Sequence, residues 1–155
     1  MSTNTLQIEI PKGFKIKSFD KETGKVSFEE LPKDIKERIK SFDDVLEHLG
    51  IEPDDFEERI EDMTADEAAY VKIKLIAKAL NEGWKPDWTN SNQYKYYPWF
   101  NMGSPSGGGF SYCVFVYWDT GSRCGSRLCF KSSELAKYAG QQFEAIYKDF
   151  LTLKS

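Results

Sequence analysis

The sequence predicts a single α+β domain, on three observations. From Trp84 to Ser132 the apolar residues come in strand-length runs broken by Gly/Ser-rich turns, and this stretch holds all four tryptophans and all three cysteines. On either side of it apolar residues recur at helical spacing: Ala69, Ile73, Ile76 and Leu80 before it, Leu135, Ala139, Phe143, Ile146 and Phe150 after it. A chain of 155 residues, 40% hydrophobic and 30% charged, is long enough to bury a core around such elements. The expected architecture is a small antiparallel β-sheet at about residues 94–130, packed by two longer helices at 65–82 and 133–151. An N-terminal β-ribbon (6–30) and a short acidic helical segment (32–62) are appended to this main body of 64–151.

Each element has a local reason. Leu6 to Ile10 alternates apolar and polar residues, the pattern of a half-buried strand, and Pro11 stops it. Phe14–Phe19 and Val26–Phe28 face each other across a Gly24-containing link, which predicts a hairpin with a longer or bulged loop. Pro32 suits the first turn of a helix that puts Ile35 and Ile39 on one face. Ser41 is an N-cap, and Gly50 a C-terminal stop, for the piece between them. A third piece runs from about Pro53 to Glu61.

Thr64-Ala-Asp-Glu67 reads as a capping box that opens helix 65–82, and Gly83 closes it. Tyr94–Phe100 then reads as a strand, with Pro98 confined to an edge or a bulge because it has no amide to donate. Phe110–Trp118 is apolar on both alternating sets, which predicts a central strand covered on two sides. Asp119–Gly125 turns the chain and Arg127–Phe130 returns it. In the last helix Gly140 marks a kink or a close helix–sheet approach.

Charge is divided unevenly. Residues 1–83 hold 13 Lys/Arg against 20 Asp/Glu, and residues 84–155 hold 8 against 5, for a net charge of −4. Between Phe42 and Glu67 there are twelve acids and one base, Arg59. An acidic module is thus joined to a mildly basic, aromatic one. The apolar runs fall far short of the ~20 residues of a membrane span, so no membrane partner is expected. The first residues lack the basic and apolar blocks of a secretory signal, which points to the cytoplasm. An odd number of cysteines argues against a disulfide framework.

The motifs are weighed against plain structural roles. Gly103–Gly109 lacks the Gly-Lys-Ser/Thr ending of a phosphate loop and is followed by a strand, so it reads as a hairpin loop, with a mobile flap as the alternative. Zinc wants four ligands in close pairs; Cys113, Cys124 and Cys129 form no such pair and His48 is the one histidine, so neither metal nor cofactor is expected. Cys113 and Cys129 read as small core hydrophobes, whereas Cys124 sits where Arg123 could lower its pKa. No catalytic residue is assigned, and a cysteine-dependent enzyme is the weakest reading. His48 suits the negative end of its helix.

Two surfaces are candidates for binding. Trp84, Trp88, Tyr94, Lys95, Tyr96, Trp99, Arg123, Arg127 and Lys131 could form a stacking platform for single-stranded nucleic acid, though most of these rings read better as core. Trp84, Trp88 and Trp99 are the rings expected to stay partly exposed. Asp43, Asp44, Glu47, Asp54, Asp55, Glu57, Glu58 and Glu61 form an acidic interaction surface, read first as the solvated face of short helices and second as a DNA mimic.

The blocks LQIEIPKGFKI, ALNEGWKPDWTN, QYKYYPWF and RLCFKSSELAKYAG…FEAIYKDFL together resemble small proteins encoded by phages and mobile elements of gut Bacteroidetes. The resemblance implies a phage or prophage origin and the cytoplasm of a bacterial host, and it carries over no catalytic residues. The leading expectation is a non-enzymatic accessory protein that binds a host or phage protein. The alternatives are a single-stranded nucleic-acid-binding module and an acidic anti-defence protein, with a homodimer as one way of covering aromatic surface.

Overall fold

The computed structural model of the chain describes residues 8–11, 13–30, 34–103, 109–122 and 124–152. The chain divides into two compact units, residues 1–38 and 39–155. In the first, strand β1 (Phe14–Phe19) pairs antiparallel with β2 (Val26–Glu30), with a bulge between Ile16 and Ser18. The Asp20 carboxylate accepts from the amides of Glu22 and Thr23, which shapes the turn that Gly24 completes at φ +69. All of β1 is exposed, including Phe14, Ile16 and Phe19. One helical turn, α1 (Ile35–Arg38), follows.

Two expectations for this unit change. The strand expected at Leu6–Ile10 does not form over Ile8–Ile10, which pair with no neighbouring strand; Leu6 and Gln7 lie outside the described residues, as does Pro32. The helix expected from Pro32 through Ile39 is a single turn over Ile35–Arg38, with Ile39 outside it.

The second unit is built around α4 (Ala65–Leu80). Glu67 reaches back to accept from the amide and hydroxyl of Thr64, at 2.9 and 2.8 Å, which satisfies a free donor at the helix start. The stripe of Ala69, Ile73, Ile76 and Leu80 is buried, with Ile73, Ile76 and Leu80 each contributing roughly 1.5–3 kcal/mol. On one side of α4 lie α2 (Phe42–Leu49) and α3 (Pro53–Ile60), which close a small cluster of Leu46, Phe56 and Val71. Ser41 caps α2, and Gly50 ends it in the left-handed region at φ +65.

On the other side lie α5 (Ser133–Gln142) and α6 (Glu144–Leu151), and beyond α5 a hairpin of β3 (Lys95–Asn101) and β4 (Ser111–Trp118). Gly140 explains the approach of α5 to the sheet: a Cβ there would fall 2.4 Å from the Tyr112 ring and 2.8 Å from the Pro98 Cβ. The closing helix breaks at Phe143, whose φ of −113 and ψ of 27 leave the helical region while its side chain stays buried. Glu144, starting α6, accepts from the Tyr112 amide at 2.8 Å.

The sheet is smaller than expected, and β4 is not its centre. The ladder runs from Lys95 opposite Trp118 to Asn101 opposite Ser111, with a bulge between Trp99 and Phe100 that Pro98 precedes. Arg127–Phe130 adds only one bridge, Phe130 with Tyr96, held by two backbone hydrogen bonds of 2.9 and 3.1 Å. That bridge lies on β3, so β3 is the inner strand and β4 has an open side among the described strands. Val114, Tyr117 and Trp118 are exposed accordingly, and Cys113 is exposed beside the bulge rather than in the core.

Candidate functional site

Five basic side chains of the second unit converge on one cleft of about 640 Å³: Arg59 of α3, Lys74 and Lys78 of α4, Lys85 after it, and Arg127 after β4. Four-residue spacing puts Lys74 and Lys78 on one helix face. Gly83, at φ +84 where a side chain is strained, lets the chain leave α4 so that Trp84, Lys85 and Pro86 join the lining. Val71, Leu75 and Ala77 supply an apolar wall beneath the charges.

The segment carrying Arg127 is pinned from two sides. Asn81, buried at the end of α4, donates to the Cys129 carbonyl at 2.8 Å and accepts from the Lys131 amide at 2.9 Å. The Trp88 indole donates to the Ser126 hydroxyl at 2.7 Å. All three bonds span long stretches of sequence, so the cleft depends on the folded unit rather than on one loop.

No described carboxylate lines the cleft, and none of its five cations forms an ion pair with a described carboxylate. Like charges four apart on a helix destabilise it by roughly 0.2–0.5 kcal/mol, and an anion in the cleft reverses that sign. Lys74 is partly compensated by the Tyr70 ring, 4.9 Å from its ammonium. The half-buried Trp84 adds an aromatic surface beside the charges.

The predicted platform on the sheet does not assemble. Lys95 is fully buried, and its ammonium donates to the carbonyls of Asp87, Asn90 and Asp119, so it is a structural tie and not a surface base. An ammonium has three protons, and all three find acceptors here. Tyr94 and the half-buried Tyr96 cluster with Tyr117, at centroid distances of 4.8 to 6.4 Å. Strand alternation puts Trp99 on the opposite face, with Val114 and Trp118. Lys131 is engaged with Glu82 at 3.3 Å, and Arg123 lies outside the described residues. Of the nine residues expected to bind, the cleft brings together Trp84 and Arg127, with Trp88 tied to it through Ser126.

Arg59, Lys74, Lys78 and Lys85 were missed. Their signals were Lys74 and Lys78 at helical spacing, and a lone arginine in an acidic run.

The acidic candidates occupy other surfaces. Asp43, Asp44 and Glu47 border a shallow groove with Glu52, and Glu57, Glu58 and Glu61 border a second; Asp54 and Asp55 are exposed in the first turn of α3. Asp44 is committed to capping: burial raises its pKa, but hydrogen bonds from the Lys40 and Ser41 amides, both 2.8 Å, outweigh that and lower it. No group of three or more His, Cys, Asp and Glu residues among those described is arranged to hold a metal.

Two of the thiols move away from reactivity. Burial pushes Cys129 up to about 11 and raises Cys124 as well, while Arg123, expected to lower Cys124, lies outside the described residues. His48 is exposed in the last turn of α2, where the helix dipole accounts for it.

No protein-family model matches the chain, and no curated protein and no solved structure matches it. Among the described residues no helix is long and apolar enough to cross a membrane.

Proposed function

We propose that this protein is a non-enzymatic binding module, an accessory protein of a phage or mobile element, that captures a negatively charged partner in the cleft of the second unit. One observation carries the reading: every charged side chain known to line that cleft is basic, in a chain whose net charge is −4. Solvated surfaces normally mix both signs, and a cleft lined by one sign orients the molecule toward an anion. The raised pKa values of Cys124 and Cys129 weigh against either as a nucleophile.

Retention on heparin at low salt and near-neutral pH tests it. The native chain is expected to bind despite its net charge, and a Lys78→Glu, Arg127→Glu double variant to pass through. Passage of the native chain overturns the reading.

A second reading keeps a host or phage protein as partner. It is favoured by Trp99 and Trp118, 52% and 46% exposed on one face of the sheet. Trp99→Ser and Trp118→Ser would then abolish capture of that partner while heparin retention stays unchanged.

A further inference from the structure

We infer that the anion taken by the cleft is a short single-stranded nucleic acid segment, with one base stacked on Trp84 and its phosphates held by Lys74, Lys78 and Arg127. The inference rests on the anion-capture reading and names the ligand class of the same site. Cations alone would suit any polyanion, including an acidic peptide. The indole changes this, because the half-buried Trp84 lines the same cleft as the five cations and the apolar Val71, Leu75 and Ala77, so one site offers an aromatic ring as well as positive charge. Every base has a face that stacks on an aromatic ring, whereas aspartate and glutamate side chains have none.

Strandedness follows from access and size. A base stacks on a protein ring only when its own face is free, which stacking between neighbouring base pairs in a duplex prevents. At about 640 Å³ the cleft lies within the ~300–1,000 Å³ range of small-ligand sites, so it admits a short segment of strand rather than a helix. The acids from Asp43 to Glu67 add long-range repulsion that a rigid duplex could not bend away from.

Fluorescence anisotropy of the full chain decides it, with labelled 12-mers of deoxythymidine and adenosine, the matching duplex, and a poly-glutamate peptide of equal length as probes. The single strands are expected to bind more tightly than either other probe. Trp84→Leu is expected to lower their affinity about fivefold to a hundredfold, with Trp84→Phe retaining most of it and poly-glutamate binding unchanged. Lys78→Ala is expected to weaken all probes and to reduce the log–log salt slope for single strands by about 0.7. Circular dichroism confirms that each variant is folded, and Trp84→Gln, which also removes the aromatic face, carries the test if Trp84→Leu is not.

Equal binding of poly-glutamate and oligonucleotide, or a folded Trp84→Leu or Trp84→Gln variant without effect, overturns the nucleic-acid assignment and leaves anion capture standing. Binding of no probe, or binding indifferent to Lys78→Ala and Arg127→Ala, overturns both.

Discussion

The ammonium of Lys95 lies 5.2 Å from the centroid of the Trp88 ring and is completely shielded from solvent. Three carbonyls from two separate turns, at Asp87, Asn90 and Asp119, accept its protons. Lys95 thus joins the turn before β3 to the turn after β4.

Lys95→Met is expected to destabilise the protein by about 3 kcal/mol, because it strands three carbonyls that faced a charge. Lys95→Arg is not expected to rescue it, since a planar guanidinium cannot reproduce three divergent bonds. Urea unfolding followed by tryptophan fluorescence measures both. Unchanged stability in Lys95→Met would show that the carbonyls find other donors.

Gly140→Ala should be destabilising although alanine is the better helix former by about 1 kcal/mol. The new methyl meets the Tyr112 ring and the Pro98 ring carbon well inside contact distance, and overpacking of this kind costs about 1–3 kcal/mol. Pairing it with Tyr112→Leu should recover part of the loss, which thermal melts of the single and double variants resolve.

Tyr147 carries a buried hydroxyl without a hydrogen-bond partner among the described residues, and burial raises its pKa. Tyr147→Phe keeps the ring against Phe100, 4.9 Å between centroids, and removes the unsatisfied group. Stability is expected to rise by about 1 kcal/mol. A loss on denaturant unfolding would mean the hydroxyl has a partner after all.

Alkaline pH should unfold the second unit early. Burial pushes the Tyr97 phenol up to about 12, against a partial offset from the Ser122 hydroxyl at 2.7 Å, and the Cys129 thiol up to about 11. Both groups lose their protons more readily in the unfolded chain, from ordinary values of 10 and 9. Their contribution is therefore complete below pH 9 and is lost as pH rises toward 11 and 12. Unfolding midpoints between pH 8 and 11 should fall with a slope that Tyr97→Phe reduces.

Local signals carried much of this fold. Ser41 and Gly50 bracket α2 as their chemistry dictates, and the stripe from Ala69 to Leu80 is buried as its spacing requires. Gly140 was readable as a close approach, but the break at Phe143 was not, because a buried aromatic continues the apolar stripe through it. An uninterrupted apolar run such as Phe110–Trp118 resembles a strand covered on both faces. Here Tyr117 and Trp118 meet solvent, and which neighbours are missing is a property of the whole sheet.

The site was legible only in fragments. Trp84 and Arg127 stood out locally, whereas the other cations reach the cleft from α3, α4 and the Gly83 turn, which no short pattern connects. Lys95 misled for the same reason. Between two tyrosines on a strand it looks like a surface charge, and the carbonyls that enclose it come from residues up to 24 positions away.

The open side of β4 bears on how this protein behaves when crowded. From Phe110 to Trp118 it presents no charge and no proline, and the carboxylate of Glu144 guards one amide, at Tyr112. Such a border invites any extended chain that passes, a partially unfolded sibling above all. Concentrated stocks should cloud on warming well before the helices melt, and Val116→Lys should keep them clear.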